Sequence, residues 1–201
     1  MAKLYFRYGA MNSGKTTHLI QVAYNYEERH MKVLLLKPQV DSKGKDYIVS
    51  RIGVKRKVDF MIDNEVNIYD LLENQEMNCL LVDEVQFLTE NQIDQLMDFV
   101  TLRNIPVICY GLRTDFQTKG FPGSKRLLLL AHSIEELKTI CRCGKKAVFN
   151  ARKINGKFVF DGSQIAIDGD KVTYESLCHI CYDRERKGLS ENSSLENQHN
   201  E

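Results

Sequence analysis

A glycine-rich segment near the start of the chain has the residue types and spacing of a phosphate-binding loop. It matches the pattern G-x-x-x-x-G-K-[ST] at every fixed position, through Gly9, Ala10, Met11, Asn12, Ser13, Gly14, Lys15 and Thr16. Glycines at these positions let successive backbone N–H groups point at phosphate oxygens, and a helix after them adds its positive N-terminus. The pattern predicts that the lysine reaches the β- and γ-phosphates of a nucleoside triphosphate and that the threonine hydroxyl binds Mg²⁺.

Two adjacent acids follow a later apolar run. Asp83 and Glu84 come directly after Cys-Leu-Leu-Val, at the expected carboxyl end of a buried strand, where open α/β sheets bind their ligands. Asp83 is predicted to hold the Mg²⁺ of the triphosphate. Glu84 suits two roles, since it could polarise an attacking water in an ATPase or take the proton of an acceptor hydroxyl in a kinase. The loop and the acids indicate an enzyme that uses ATP with Mg²⁺, and leave hydrolysis and transfer both open.

Four of the six cysteines form two close pairs that indicate a structural zinc site. Cys141 with Cys143 and Cys178 with Cys181 would supply four thiolates, and such a closed site keeps no position for catalysis. The alternative is that these thiols are reduced and unligated. A zinc ribbon attached to a nucleotide switch could also bind nucleic acid, but the balanced charge of the chain argues against this. The basic side chains expected to form a patch there are Lys145, Lys146, Arg152 and Lys153.

The elements expected to position these residues alternate between strand and helix in the first two thirds of the chain. A short strand is predicted at residues 4–8. Continuous apolar runs at residues 33–36, 79–82 and 107–110 predict a parallel sheet covered on both faces. Residues 15–29 are predicted to be helical, as is the segment that follows a capping box at Thr89 and Gln92. Ser133 and Glu136 predict another capped helix over residues 134–140.

The aperiodic, lysine-rich residues 41–59 have two interpretations. They form either a solvated mobile loop or a loop that orders over a phosphate-bearing ligand.

Short, turn-rich strands begin near residue 141 and indicate a small β-rich module. They are predicted at residues 147–153, 157–160 and 165–167, separated by turns that include Asn155-Gly156. So small a module cannot bury a sizeable core, and a bound metal would stabilise it. We therefore expect a P-loop nucleotide-binding domain at 1–140, a zinc-binding domain at 141–187 and a disordered tail at 188–201.

Composition limits the class of protein. The 201 residues are 43% hydrophobic and 27% charged, as in a globular α/β domain with a small appendage. The 28 basic and 27 acidic residues give a net charge of +1, so the chain has no large positive charge to attract nucleic acid or an anionic membrane surface. No apolar stretch reaches the ~18 residues of a membrane helix, and the start lacks the pattern of a signal peptide. We expect a cytoplasmic protein.

In this order and spacing, the motifs resemble the type II thymidine kinases, the tetrameric, zinc-containing class. The resemblance covers about residues 3–182, and the form of the segment 110–116 is similar to an enterobacterial-type branch. It rests on the phosphate loop, Asp-Glu-Val-Gln-Phe at 83–87, Tyr-Gly-Leu-Arg-Thr-Asp-Phe at 110–116, Phe121-Pro122, the cysteine pairs and Tyr174. It implies transfer of the ATP γ-phosphate to the 5′-hydroxyl of thymidine, which gives dTMP for DNA synthesis. The implied architecture is a RecA-like P-loop domain with a zinc-held lasso domain, assembled as a homotetramer.

The resemblance also implies roles for individual residues. Glu84 becomes the base at the 5′-hydroxyl, while Lys15, Thr16 and Asp83 handle the triphosphate and its metal. The implied apolar pocket for the thymine ring is lined by Met11, Phe87, Leu112, Phe116 and Phe121. The lasso is implied to read the base mostly through backbone groups, at Asn150 and over residues 165–174, which end at Tyr174.

Two features keep alternatives open. Phe87, Phe116, Phe121 and Tyr174 are explained equally well, from the residues alone, as side chains that pack beneath loops. Many family members have Asp-x-Arg where this chain has Asp-Ser-Lys at 41–43, so the cationic role of that arginine passes to Lys43 or to Arg51.

Overall fold

The computed structural model describes residues 1–39, 46–163 and 172–189. Three predictions therefore concern residues outside the described part. They are the Asp-Ser-Lys segment at 41–43, the strand at 165–167 with its following turn, and most of the tail expected at 188–201.

A six-stranded parallel sheet forms the centre of the protein. Its strands lie in the order β5-β2-β6-β7-β1-β8, and every pairing between them is parallel. The strands of this part of the chain are β1 (Leu4–Tyr8), β2 (Val33–Pro38), β3 (Tyr47–Val49), β4 (Lys55–Lys57), β5 (Phe60–Ile62), β6 (Cys79–Val82), β7 (Val107–Gly111) and β8 (Ser133–Glu136). The four predicted strands are thus confirmed as β1, β2, β6 and β7.

Helices cover both faces of this sheet, as the continuous apolar runs predict. They are α1 (Lys15–Glu27), α2 (Ile68–Leu72), α3 (Glu90–Leu102) and α4 (Pro122–Leu130). A further helix, α5 (His179–Arg186), belongs to the β-rich part of the chain. One face packs against α2, α3 and α4, through side chains such as Ile68, Phe99 and Leu127. The other face packs against α1 through Leu19 and Ala23. The strands β6 and β7 are buried along their whole length, because apolar layers lie above and below them.

The capping box predicted for α3 is confirmed. The Gln92 backbone N–H donates to the Thr89 hydroxyl at 3.2 Å, and the Thr89 N–H donates to the Gln92 side-chain oxygen at 3.1 Å. The Gln92 amide also donates to the backbone oxygens of Asp63 and Val66. This buried glutamine therefore fixes both the start of α3 and the loop before α2.

The helix predicted over residues 134–140 is wrong. The chain there forms β8 and a two-residue strand, β9 (Thr139–Ile140). β8 pairs with β1 from Tyr5 opposite Ser133 to Tyr8 opposite Glu136, so the backbone groups along this side of β1 find partners. The apolar residues that suggested a helix do not build one face, since Ile134 and Ile140 are 45% and 71% exposed. Long-range strand pairing outweighs the local pattern.

The residues from 46 to 59 form a hairpin instead of an aperiodic loop. β3 and β4 are antiparallel, with Tyr47 opposite Lys57. Ile48 and Val58 are buried and join the core on the α1 side of the sheet. This part of the expected loop is therefore anchored, and its tip at residues 50–54 extends from a fixed base.

A β-rich part with the predicted short strands follows β8. A small hairpin joins β9 to β10 (Lys146–Ala147), and a three-stranded antiparallel sheet has the order β12-β11-β13, with β11 (Phe149–Ile154), β12 (Lys157–Val159) and β13 (Val172–Leu177). The predicted Asn155-Gly156 turn is confirmed, because both residues have positive φ, 50° and 85°. The small core of this part contains three of the paired cysteines together with Ala151, Leu177 and Tyr182. Within the described residues, no helix is long and apolar enough to span a membrane.

Candidate active site

The glycine-rich segment forms a loop between β1 and α1. The Gly9 N–H donates to the Gly111 carbonyl at 3.3 Å, which ties the start of the loop to the end of β7. A Cβ on Gly9 would lie 2.3 Å from the Leu137 carbonyl oxygen and 2.4 Å from the Ser13 hydroxyl, so this position accepts only glycine. Gly14 has φ +78° and caps α1, which begins at Lys15. The loop therefore has the strand–loop–helix context that a phosphate site needs.

The Lys15 ammonium lies inside this loop. It donates to the carbonyls of Gly9 and Ala10, each at 2.9 Å, and lies 3.4 Å from the Ser13 hydroxyl. Burial lowers the pKa of Lys15, and the negative charges of Glu84 and Asp83 raise it in part. A half-buried cation beside two acids and the start of a helix is suited to binding phosphate oxygens.

The acids lie at the carboxyl end of β6, as predicted. Asp83 is only 4% exposed, and burial, followed by repulsion from Glu84, raises the pKa of its carboxyl to about 7. Glu84 is half-buried and has φ 51° and ψ 35°, an unusual left-handed conformation for a residue with a side chain. A 3₁₀ turn, Val85–Phe87, begins directly after it. The backbone reversal at Glu84 gives the adjacent carboxylates different surroundings, one in the core and one in the site.

A cavity of about 340 Å³ lies over the loop. It brings together six of the predicted phosphate and catalytic residues, which are Met11, Asn12, Gly14, Lys15, Thr16 and Glu84. The other four do not line it: Asp83 is buried, and Gly9, Ala10 and Ser13 contact the Lys15 ammonium. The structure adds Thr17, Leu112 and, from the hairpin tip and its first strand, Val49, Arg51 and Ile52. Arg51 is one of the two cations that the family resemblance suggested, whereas no motif marked Val49 or Ile52, because their position depends on how β3 and β4 pack.

A second, smaller cavity of about 60 Å³ opens beside the first. All seven side chains assigned to the nucleoside line it, namely Met11, Phe87, Leu112, Phe116, Phe121, Asn150 and Tyr174. Phe116 and Phe121 are also 2% and 4% exposed, and the rings of Phe87 and Phe121 meet edge to face at 5.5 Å between centroids. The aromatic residues therefore both pack and line a cavity, so the two interpretations of them are compatible.

Met11 and Leu112 line both cavities. The backbone of Met11 is held from the β-rich part. Its N–H donates to the Asn150 side-chain oxygen at 2.7 Å, and its carbonyl accepts from the Ser176 hydroxyl at 2.6 Å. Asn150 and Ser176 lie opposite each other on β11 and β13. The phosphate loop is therefore bonded directly to the sheet of the β-rich part, a contact that sequence reasoning missed because it joins residues 139 and 165 positions apart.

Arg152 does not belong to a surface basic patch. It is 3% exposed, and its guanidinium carbon lies 3.6 Å from the centroid of the Phe116 ring, with Tyr174 nearby. The hydroxyl of Tyr182 donates to the Phe116 carbonyl at 2.6 Å. Arg152 thus supports the wall of the smaller cavity. The strand period could have indicated this, since Arg152 lies two residues after Asn150 and shares its face of β11.

Two lysines of the expected patch form ion pairs. Lys146 lies 2.6 Å from Glu136, and Lys153 lies 2.5 Å from Glu175. These two cations are therefore paired with carboxylates, which reduces the positive charge that they offer to a nucleic acid.

The four paired cysteines converge on one point. Their Sγ atoms all lie within 4.8 Å of one another, and those of Cys143 and Cys178 are 3.5 Å apart. Four sulfurs around zinc, each at about 2.3 Å, would lie about 3.8 Å from each other, so the cluster fits a tetrahedral metal. The Cys178 sulfur also accepts from the Cys181 N–H at the start of α5, which is how the second pair of thiols turns toward the first.

The fold and the site define a P-loop phosphotransferase, in which a parallel sheet presents a phosphate loop and acidic residues beside an aromatic cavity. A family model described as thymidine kinase matches residues 2–182. Similar proteins include the thymidine kinases of Mannheimia succiniciproducens, 47% identical over 186 residues, and Pasteurella multocida, 48% identical over 187 residues. These alignments cover 90% of this chain and 94% and 97% of the relatives. The chain belongs to the thymidine kinase family.

A further relative, the thymidine kinase of Legionella pneumophila, is 45% identical over 94% of this chain and 92% of its own. A chain from a structure of Pif1 helicases on forked DNA aligns with a TM-score of 0.37 and 13% identity, over 67% of this chain and 39% of that one. That likeness is too distant to bear on function. The enterobacterial-type branch stays a prediction.

Replacing Asp83 with asparagine tests the burial of this carboxyl. Its pKa, raised to about 7, means that the native state holds the proton more tightly than the unfolded chain, where an aspartate has a pKa of about 3.9. The contribution of this group to stability therefore falls as pH rises through that window and stays low above it. At pH 8, we expect the free energy of unfolding of Asp83→Asn to exceed that of the parent by about 1 kcal/mol or more. At pH 5, the excess should be smaller.

Urea unfolding of the ligand-free proteins at both pH values measures this difference. Asp94→Asn is the control, because Asp94 is partly exposed beside Arg126 on the outside of α3. An excess for Asp83→Asn that is equal at pH 5 and pH 8 would contradict the account.

Proposed function

We propose that this protein transfers the γ-phosphoryl group of ATP to the 5′-hydroxyl of thymidine and releases dTMP and ADP. One observation carries the proposal: the phosphate-loop cavity and the aromatic cavity share a wall formed by Met11 and Leu112. Membership of the thymidine kinase family supports the same assignment. A kinase needs its two substrates in adjacent cavities, because transfer requires the reacting atoms to lie about 3 Å apart.

The phosphate loop would hold the triphosphate. The loop between Gly9 and Gly14 would surround the phosphates, and N–H groups at the start of α1 would face their oxygens, while the Gly9 and Met11 N–H groups keep their bonds to Gly111 and Asn150. Lys15 would exchange its carbonyl partners for the β- and γ-phosphates. Thr16 and Asp83 would hold Mg²⁺, which would offset the negative charge of the phosphate oxygens during transfer. Asp83 must lose its proton to do so, and the cation would favour that loss.

Glu84 would act as the general base. Its carboxylate lines the cavity and is close enough to Lys15 to raise the pKa of that ammonium. From there it would accept the proton of the 5′-hydroxyl as the phosphoryl group transfers. An ATPase would instead place a water beside Glu84. The aromatic cavity favours transfer to an organic acceptor, since a water needs no such pocket.

The smaller cavity would bind the thymine base. Its three phenylalanines and Met11 suit a flat ring that carries a methyl group, and Asn150 and Tyr174 add polar atoms at its edge. We propose that backbone groups of the segment 165–174 complete base recognition and reject cytosine, whose exocyclic amine reverses the hydrogen-bond pattern. Most of that segment lies outside the described residues.

Arg51 would supply the cation expected from the Asp-x-Arg pattern. It lies at the tip of the β3–β4 hairpin, lines the phosphate cavity, and helps to lower the pKa of Lys15 through charge repulsion. Lys43, the other candidate, lies outside the described residues. A cation on a hairpin tip would approach the phosphates when the cavity is filled.

We propose that the cysteine cluster binds Zn²⁺ as a structural ion, held by Cys141, Cys143, Cys178 and Cys181. The chain would then divide into a kinase domain at 1–140, a zinc-bound lasso domain at 141–187 and a tail at 188–201. Assembly as a homotetramer and a cytoplasmic location stay predictions.

The direct test of the proposed function is to follow ATP consumption with Mg²⁺ and to resolve the nucleotide products, with and without thymidine. We expect dTMP to form only with thymidine, and deoxycytidine to be inert. Glu84→Gln should lose about 100-fold or more of the rate, because a positioned base contributes 10²–10⁴-fold, while both substrates still bind. ATP turnover that ignores thymidine would reject the kinase assignment and favour the ATPase.

Metal analysis tests the proposed zinc site. We expect about one zinc per chain, and a chelator that removes it should unfold the β-rich part, because metal binding and folding are coupled in such small modules. Cys143→Ser should lose zinc. Cys109→Ala, at a cysteine buried in β7, should keep it. Parent protein purified without any bound metal would reject the site.

A further inference from the structure

The 3₁₀ turn after Glu84 contains a fully buried glutamine, Gln86, to which the proposed mechanism gives no role. It is 0% exposed, although it lies one residue before a side chain of the base pocket. Its Nε2 donates to the Glu84 carboxylate oxygen Oε2 at 2.5 Å. Its Oε1 accepts from the Leu112 backbone N–H at 3.0 Å. Burial of an amide is tolerated when its polar atoms are bonded, and here one partner is the carboxylate assigned as the base.

The orientation of this amide follows from its partners. Leu112 offers an N–H, which only the oxygen of the glutamine can accept, so the NH₂ group must face Glu84. Space for the oxygen exists because residue 111 is glycine, where a Cβ would lie 2.6 Å from Oε1. The carbonyl of Leu112 in turn accepts from the Ser124 hydroxyl at 2.5 Å. A chain of buried hydrogen bonds therefore runs from the first turn of α4 to the Glu84 carboxylate.

Glu84 has few other constraints on its side chain. Among the described residues, Gln86 is the hydrogen-bond partner that the structure gives its carboxylate. A glutamate side chain has three rotatable bonds, and a half-buried one at the edge of a cavity would sample several rotamers without such a contact. One short bond from a rigid, buried donor selects a single orientation.

We propose that Gln86 is the positioning residue for the catalytic base: it orients the Glu84 carboxylate toward the 5′-hydroxyl and connects that orientation to the wall between the two cavities. The inference rests on the proposed kinase function and assigns a residue to it. Leu112 lines both cavities, so a base that fills the smaller one contacts the residue whose N–H sets the glutamine. Correct filling of the nucleoside pocket would thereby favour the reactive position of the base.

Two variants of Gln86 separate positioning from general stability. Gln86→Met keeps the volume and removes both hydrogen bonds. We expect kcat to fall about 10- to 100-fold, the value of a hydrogen bond to a charged group, with KM for ATP within about 3-fold of the parent. Gln92→Met is the matched control, since Gln92 is equally buried and bonded but lies outside the site. It should lower the thermal midpoint and leave kcat unchanged.

Gln86→Glu supplies a readout that a merely structural role would not move. Its carboxyl can still accept from Leu112, but it faces Glu84 and keeps that contact only while one proton is shared between the two acids. Activity of Gln86→Glu relative to the parent should therefore decline as pH rises from 6 to 8.5, whereas the loss in Gln86→Met should be the same at every pH. This comparison uses activity ratios, so it remains informative if both variants are less stable.

The outcomes distinguish this inference from the proposed function. If the parent makes dTMP and Glu84→Gln is inactive while Gln86→Met keeps the parent's kcat, the kinase assignment stands and the positioning role is rejected. If Gln86→Glu and Gln86→Met lose activity by the same factor at every pH, Gln86 acts only through packing, and the positioning role is again rejected. A pH-dependent loss confined to Gln86→Glu supports it.

Discussion

The wall between the two cavities depends on hydrogen bonds from buried side chains to backbone. The N–H of Met11 is bonded to Asn150 and its carbonyl to Ser176, while the N–H of Leu112 is bonded to Gln86. Backbone atoms cannot change rotamer, so bonds to them fix position more firmly than side-chain packing does. A buried partner left without its bond would also raise the free energy of any displaced state. In the proposed function, the protein thus sets the separation between the triphosphate and the nucleoside before either substrate binds.

The central sheet positions the other functional groups beside this wall. β6, β7 and β1 are neighbours, and their carboxyl ends lead directly to the acids, to Leu112 and to the phosphate loop. The β-rich part approaches from the opposite side, where Ser176 contacts Met11 two residues before Cys178 of the cysteine cluster. A metal bound at that cluster would never touch a substrate. It would still affect catalysis, because it would stabilise β13, the strand whose Ser176 is bonded to the phosphate loop.

The sequence was most informative where local pattern and function coincide. Apolar stretches predicted four central strands, and a fixed motif predicted the loop with Lys15. The residues of the base cavity came from resemblance to a family, since spacing alone allows Phe116 to be simple core. Contacts over long sequence distances were missed: the pairing of β8 with β1 replaced a predicted helix, and Arg152 stacks on Phe116 instead of facing solvent. Such contacts form between segments that lie far apart along the chain, so a local stretch of sequence does not predict them.

The central claim is that the wall is held from the β-rich part, and Ser176→Ala tests it directly by removing one hydroxyl that donates to the Met11 carbonyl. Calorimetric titration of ATP with Mg²⁺ and of thymidine should show that both bind several-fold more weakly, the effect of losing about 1 kcal/mol. Thr101→Ala, which removes a hydroxyl that donates to a carbonyl of α3 away from the site, should change neither affinity. If Ser176→Ala binds both substrates as the parent does, the wall does not depend on that bond and the account is wrong.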